Sequence, residues 1–370
     1  MGAVRLFLAL SVVLWHLPGG RVRALNAAVA VTCFFVISGF YMTMVINENY
    51  ARPDRPWVME FYAARVLRLY PAYLAMIAIM AGWFWSTGAP GPFTSRLPMP
   101  AAEQIGLMAM NLLVFGQDTF QLFVQAIAQG SGPPIVATAQ HWLGPGFFND
   151  PWMLVGQAWS LSSELTFYLI APFVVRSPIR IAVVFAASLL VRTAFVGILG
   201  YRSGVWGYWF FPATLCMFML GSIAYHAHWW VRLIIPSKVI GWGGLGVLTL
   251  LIGAQLIRWQ VAMPSNPEGS IDGPRFWLLY LAFAAMIPSL FELTRGSGID
   301  RAIGELSYPL YLVHGIVLGL IYMRWGAPKG VLPDAFVAVG LSVLAAWALK
   351  VAVEAPVDRH RQRAMAAAAA

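Results

Sequence analysis

Ten runs of apolar residues divide this chain, near 3–18, 28–46, 70–88, 153–174, 178–199, 206–228, 239–257, 274–292, 305–323 and 332–354. Each is long enough, or nearly so, to cross the roughly 30 Å hydrocarbon core of a bilayer as a helix. In lipid every backbone N–H and C=O must be satisfied within the protein, which leaves helices or closed barrels as spanning elements. Runs of this length are helical ones. The expectation is an all-α polytopic membrane protein with about ten transmembrane helices, built as a single domain over residues 1–363. Composition agrees, with 60% hydrophobic and 11% charged residues, where a soluble domain carries about a quarter charged. Sixteen Trp and thirteen Tyr suit aromatic belts at the two interfaces. The closing "AMAAAAA", 364–370, is set apart as a low-complexity tail.

Charge placement orients the spans. With the N-terminus inside, ten spans leave Arg52, Arg55, Arg65, Arg68, Arg176, Arg180, Arg232, Lys238, Arg295, Arg301 and the tail arginines on the cytoplasmic side. The long segment 117–151, which has no Lys or Arg, falls outside, as the positive-inside rule prefers. Arg21, Arg23 and Arg96 count against this order. A shorter apolar run, 102–116, is therefore expected to be an interfacial or re-entrant helix rather than an eleventh span, with both termini cytoplasmic. The +9 net charge then reports membrane orientation and not nucleic-acid binding. Cys33 and Cys216 both lie in apolar runs, so neither a structural disulfide nor a metal site is expected. The first run reads as a span and not as a cleavable signal, since no small-residue cleavage site follows it.

Ionisable groups at membrane depth are costly and mark function by default. Arg5 and His16 are eleven residues apart, close to three helical turns, so they share one face about 16 Å apart along the axis. The pair could line a path, or Arg5 could be an anchor and His16 an interfacial residue. Arg65 and Arg68, three apart, share a face at the start of the third span. Paired guanidiniums there suit phosphate or pyrophosphate, although stop-transfer charges look the same. In "WSLSSELTFY" (159–168) Ser160 and Glu164 share a face, with Trp159 and Ser162 in the same turns; a carboxylate among hydroxyls in mid-span favours function over a helix-packing cluster. In "LSYPLYLVH" (306–314), Ser307, Tyr311 and His314 form one polar stripe.

These elements together resemble the acyltransferase-3 family of integral-membrane O-acyltransferases, which includes bacterial glycan O-acetylases. The resemblance runs over essentially the whole chain. It is carried by Arg5-x10-His16 followed by "FFVISGF" (34–40), by "RVLRLYPAY" (65–73), by the Trp159 and Ser307 segments already quoted, and by "VEAPVDR" (353–359). Two departures stand out: the loop "LPGGRVRALNAAV" after His16 is short, and no esterase-like domain is appended. The resemblance implies an enzyme of a bacterial inner membrane that moves an acyl group, by default acetyl, from acyl-coenzyme A (acyl-CoA) on the cytoplasmic side to a hydroxyl of a glycan or lipid-linked sugar. No metal is called for, and a separate extracytoplasmic partner protein is conceivable. On this reading Arg5, Arg65 and Arg68 hold the donor's phosphates. His16 is the general base or a transient acyl carrier, with Glu164 its orienting carboxylate. Trp159, Ser160 and Ser162 shape the cavity or support the oxyanion, and Tyr311 and His314 contact the acceptor or relay a proton.

Two other readings are kept. A flippase or transporter of a lipid-linked glycan would use the arginines for pyrophosphate, but predicts ionisable relays over more spans than are present. An O-acyltransferase of small biosynthetic molecules shares the chemistry and differs in acceptor. The aromatic segment 141–150 is where acceptor choice would be sought.

Overall fold

The computed structural model describes residues 1–17, 22, 24–51, 56–88, 101–143, 153–232, 239, 242, 243, 245, 246, 249, 253, 272–326 and 332–359, of which 101–103, 140–143 and 229–232 as backbone only. Most of the run 239–257, all of 364–370, Arg21, Arg23, Arg52, Arg55, Arg96 and Lys238, and the side chains in 141–150 lie outside that description. No strand occurs among the described residues, as expected for an all-α membrane protein.

The helices run in chain order as α1 (Gly2–His16), α2 (Ala27–Val45), α3 (Val58–Thr87), α4 (Ala101–Leu113), α5 (Gln117–Ala128), α6 (Pro134–Leu143), α7 (Trp159–Val174), α8 (Pro178–Arg192), α9 (Ser203–Trp206), α10 (Phe211–Arg232), α11 (Pro274–Thr294), α12 (Gly298–Glu305), α13 (Ser307–Trp325) and α14 (Leu332–Leu349). Among the described residues six helical segments are long and apolar enough to cross a membrane: 27–50, 58–87, 178–198, 274–294, 298–325 and 332–359. They coincide with six of the ten expected spans, and a count of ten is not confirmed. The reasons are local. Helices α1 and α7 have only 15 and 16 residues, and α10 carries His226 and His228. The marginal run 102–116 becomes α4, which turns by 117° into α5, a bend no straight span makes. Val114 and Gly116 take left-handed backbone at the turn, with φ of 70° and 88°; glycine does this freely, a β-branched residue only under strain.

Helix α2 is the axis of the bundle. It is apolar all round and buried along nearly its whole length, as a helix without a polar face must be. Two glycines let it meet α10 backbone to backbone: a Cβ on Gly39 would lie 1.8 Å from the Phe218 carbonyl oxygen, and one on Gly221 1.9 Å from that of Val36. Small residues at such contacts are how helices associate where lipid removes the hydrophobic drive. The Thr43 hydroxyl donates to Ser222 Oγ across the same seam at 2.8 Å. Helix α1 is fixed at its other end: the Asp300 carboxylate of α12 accepts from the backbone N–H of Gly2 at 2.7 Å and Ala3 at 2.9 Å. It thereby satisfies donors that the first turn leaves open.

Replacing Gly39 by Leu is expected to push α2 from α10 at a cost of roughly 3 kcal/mol. Size-exclusion chromatography in detergent should lose the monodisperse peak. Gly82→Leu, at a position where a Cβ meets nothing within 4 Å, should retain it.

Candidate functional site

One cavity of about 290 Å³ collects most of the residues singled out by charge. Arg5 enters it from α1, Arg65 and Arg68 from α3, Ser160 and Glu164 from α7, and Tyr311 from α13. The helical spacing explains the convergence. Arg65 and Arg68, three apart, face the same way, and α1, held at its first turn by Asp300, carries Arg5 to the same level.

Charge is not balanced there. Among the described residues, Arg5 and Arg65 have no carboxylate within ion-pair distance, and Arg68 reaches Asp358 at only 4.0 Å. The Arg65 guanidinium lies over the Phe61 ring at 5.7 Å, and its buried Nε has no hydrogen-bond partner. Buried cations are ordinarily paired. Three guanidiniums around one cavity with a single carboxylate therefore form a place for an anion, and the planar fork of Arg matches phosphate oxygens in pairs.

That carboxylate is Glu164, and the structure gives it partners other than the expected one. Ser38 Oγ of α2 donates to Glu164 Oε1 at 2.7 Å, and the Tyr168 hydroxyl donates to the same oxygen. Glu164 thus belongs to the arginine cavity, and the described bonds do not join it to His16. The His16 ring instead donates from Nδ1 to the Val12 carbonyl at 2.9 Å. A carbonyl only accepts, so Nδ1 carries a proton, and among the described residues Nε2 has no hydrogen-bond partner. A backbone carbonyl on the same helix does the orienting work expected of a carboxylate.

His16 ends α1, exposed on the protein, and does not line the cavity. Its neighbour is the buried His314, with ring centroids 5.3 Å apart. His314 Nδ1 in turn donates to the Tyr311 carbonyl at 2.7 Å, and among the described residues its Nε2 has no hydrogen-bond partner. The Tyr311 ring lies 5.7 Å from that of His314. Its hydroxyl bonds Ser160 Oγ at 2.7 Å and donates to the Gln157 carbonyl at 3.1 Å. Tyr311 therefore stands between the arginine cavity and the two imidazoles.

The remaining expected residues lie elsewhere. Trp159 is buried in an aromatic cluster with Phe35, Tyr208 and Trp209, behind the cavity wall. Ser162 donates to the buried Asp118 at 2.9 Å and accepts from the Gly116 N–H at 3.1 Å, so it pins the α4–α5 turn. Sequence reasoning missed Ser38, Tyr168 and Gln157. Tyr168 had a signal, four residues after Glu164 on one helix face. Ser38 lies in the quoted "FFVISGF" stretch, but only the packing of α2 on α7 brings it to the carboxylate. Among the described residues no cluster of three or more metal-ligating side chains occurs.

A family model described as an acyltransferase domain matches residues 1–351. Nodulation protein 10 of Rhizobium leguminosarum bv. viciae is 26% identical over 316 residues, covering 81% of this chain and 75% of its own length. Acyltransferase MdmB of Streptomyces mycarofaciens is 27% identical over 324 residues, 82% of this chain and 71% of the relative. O-acetyltransferase OatA of Staphylococcus aureus is 29% identical over 80 residues, 22% of this chain and 13% of the relative. No solved structure matches the chain.

The Ser162–Asp118 bond yields a stability test. Ser162→Ala and Asp118→Asn should each destabilise by roughly 1–2 kcal/mol, and the double variant by less than the sum, because both remove one bond. Thermal unfolding of the three variants in detergent measures it.

Proposed function

We infer that this chain, which belongs to the acyltransferase-3 family of membrane O-acyltransferases, binds acyl-CoA in the arginine cavity and transfers its acyl group, by default acetyl, to an acceptor hydroxyl. The observation that carries the reading is the excess of guanidinium over carboxylate around one cavity, Arg5, Arg65 and Arg68 against Glu164. Coenzyme A brings several phosphate charges on one end of a long molecule and a neutral thioester on the other. A cavity that is cationic towards Arg65 and Arg68 and hydroxyl-lined towards Ser160 and Tyr311 complements that order. Glu164, already holding two hydroxyls, is placed to accept from a neutral N–H or O–H of the donor's arm.

The donor enters from the cytoplasmic side of a bacterial inner membrane, where the basic segments are taken to lie. His16 Nε2 takes the proton of the acceptor hydroxyl as its oxygen attacks the thioester carbonyl; the carbon–sulfur bond breaks, and the thiolate regains a proton to leave as free coenzyme A. Ser160 and Tyr311 are the hydroxyl donors available to the carbonyl oxygen as it gains charge. The stepwise alternative, in which His16 Nε2 carries the acyl group in transit, uses the same free lone pair. The acceptor class is a hydroxyl of a glycan or related molecule. The flippase reading would use the same cations for pyrophosphate, but gives no use to an imidazole pair set beside a Tyr–Ser hydroxyl bond.

The purified protein should release free coenzyme A from acetyl-CoA slowly, read with a thiol reagent. His16→Ala should bind acetyl-CoA and fall in rate by about 100-fold or more, the usual weight of a lost general base. Arg68→Ala should retain the chemistry with a donor KM raised by about ten-fold. A wild-type protein that neither binds nor cleaves short acyl-CoA thioesters would remove the enzyme reading and leave transport.

A further inference from the structure

A second cavity, of about 280 Å³, lies end to end with the first. The same three walls line both, and each wall steps in the same sense. On α3 the arginine cavity uses residues 65–69 and the second cavity residues 76–84. On α13 they use 307–311 and 312–323. On the antiparallel stretch leading into α7 they use 160–168 and 153–157. The chemistry changes completely across the boundary. No charged side chain lines the second cavity among the described residues. Met76 and Met80 form one side, and Gly315, Gly319 and Met323 the other, over about 12 Å of helix. Gln157 is its polar group.

Gln157 also makes the partition. Its carbonyl accepts from the Tyr311 hydroxyl at 3.1 Å and lies 3.2 Å from Ser160 Oγ, and both of these hydroxyls line the arginine cavity. Its side-chain amide donates to the Leu312 carbonyl. One residue thus lines the second compartment and bonds to the wall of the first, at the hydroxyl pair where the thioester is to react.

We propose that the second cavity is the acceptor's port, and that the acceptor is an uncharged hydroxyl compound with a hydrocarbon portion. The proposal rests on the donor reading above. A donor whose phosphates lie at Arg65 and Arg68 brings its thioester to the Ser160–Tyr311 end, and there the second cavity, which meets that hydroxyl pair through Gln157, offers the attacking hydroxyl a way in. An anionic acceptor would lose its hydration there with no cation to repay it. Methionines adapt to irregular apolar shapes, and the two glycines leave a trench along α13 rather than a packed face. A Cβ on Gly319 meets nothing within 4 Å, so a larger side chain there fills the cavity without striking backbone.

The test uses the full chain in lipid nanodiscs with acetyl-CoA as donor and three probes, octyl β-glucoside, glucose and the anionic octyl β-glucuronide, with acetylated product followed by mass spectrometry. Octyl glucoside should be acetylated in preference to the other two. Gly319→Leu should raise its KM by about ten-fold or more while the KM for acetyl-CoA stays unchanged. Gly319→Ala, which adds one methyl group, should move the same constant in the same direction by less. Equal use of the glucuronide, coenzyme A release without acetylated glucoside, or unchanged acceptor KM in both Gly319 variants would overturn the port while leaving the donor reading in place. No coenzyme A release from the wild type under any condition would remove the donor reading, and the port with it.

Discussion

Three guanidiniums facing one cavity inside an apolar bundle set the terms for everything around them. Such charges repel one another and lose hydration together. The fold has to hold them there by force of packing. It does so with α2, whose glycine contacts with α10 bring the helices to backbone distance, and with Asp300, which anchors the first turn of α1. Glu164 relieves part of the repulsion and is itself prevented from swinging into a full ion pair, because Ser38 and Tyr168 hold one of its oxygens. The result is a cavity left short of negative charge, which is what a phosphate-bearing ligand needs.

Much of this was legible from residues and spacing. Helical periodicity placed Arg65 with Arg68 and Ser160 with Glu164, and the cost of a charge in lipid singled out Arg5 and Glu164 as candidates, which the fold brings to the same cavity. The class of fold followed from the length of the apolar runs. What was not legible depended on contacts between helices. Glu164 was expected beside His16 because a carboxylate commonly orients an imidazole, yet Val12, one turn back on the same helix, supplies the acceptor. Ser162 looked like a cavity residue because it sits two places from Ser160; two places on a helix are about 200° apart, and the side chain turns instead to Asp118. The span count suffered for a related reason. Helices α1 and α7 end after 15 and 16 residues, short of a span, and α1 closes on a polar group; where a helix stops inside an apolar run is set by its contacts and not by hydropathy.

Tyr311 joins the parts. Its hydroxyl belongs to the partition formed with Ser160 and Gln157, and its ring touches His314, which touches His16. Helical spacing makes the two roles compatible: residues three apart on α13 share a face, so the ring reaches His314 while the hydroxyl extends away to α7. The two imidazoles present the same tautomer for the same reason, since each gives its Nδ1 proton to a carbonyl of its own helix, Val12 for His16 and Tyr311 for His314. Each ring is thus oriented from within its own helix. The His16 ring is therefore held without an ion pair, Glu164 is left to the arginine cavity, and a hydroxyl pair and one glutamine stand at the boundary between the charged and the uncharged cavity.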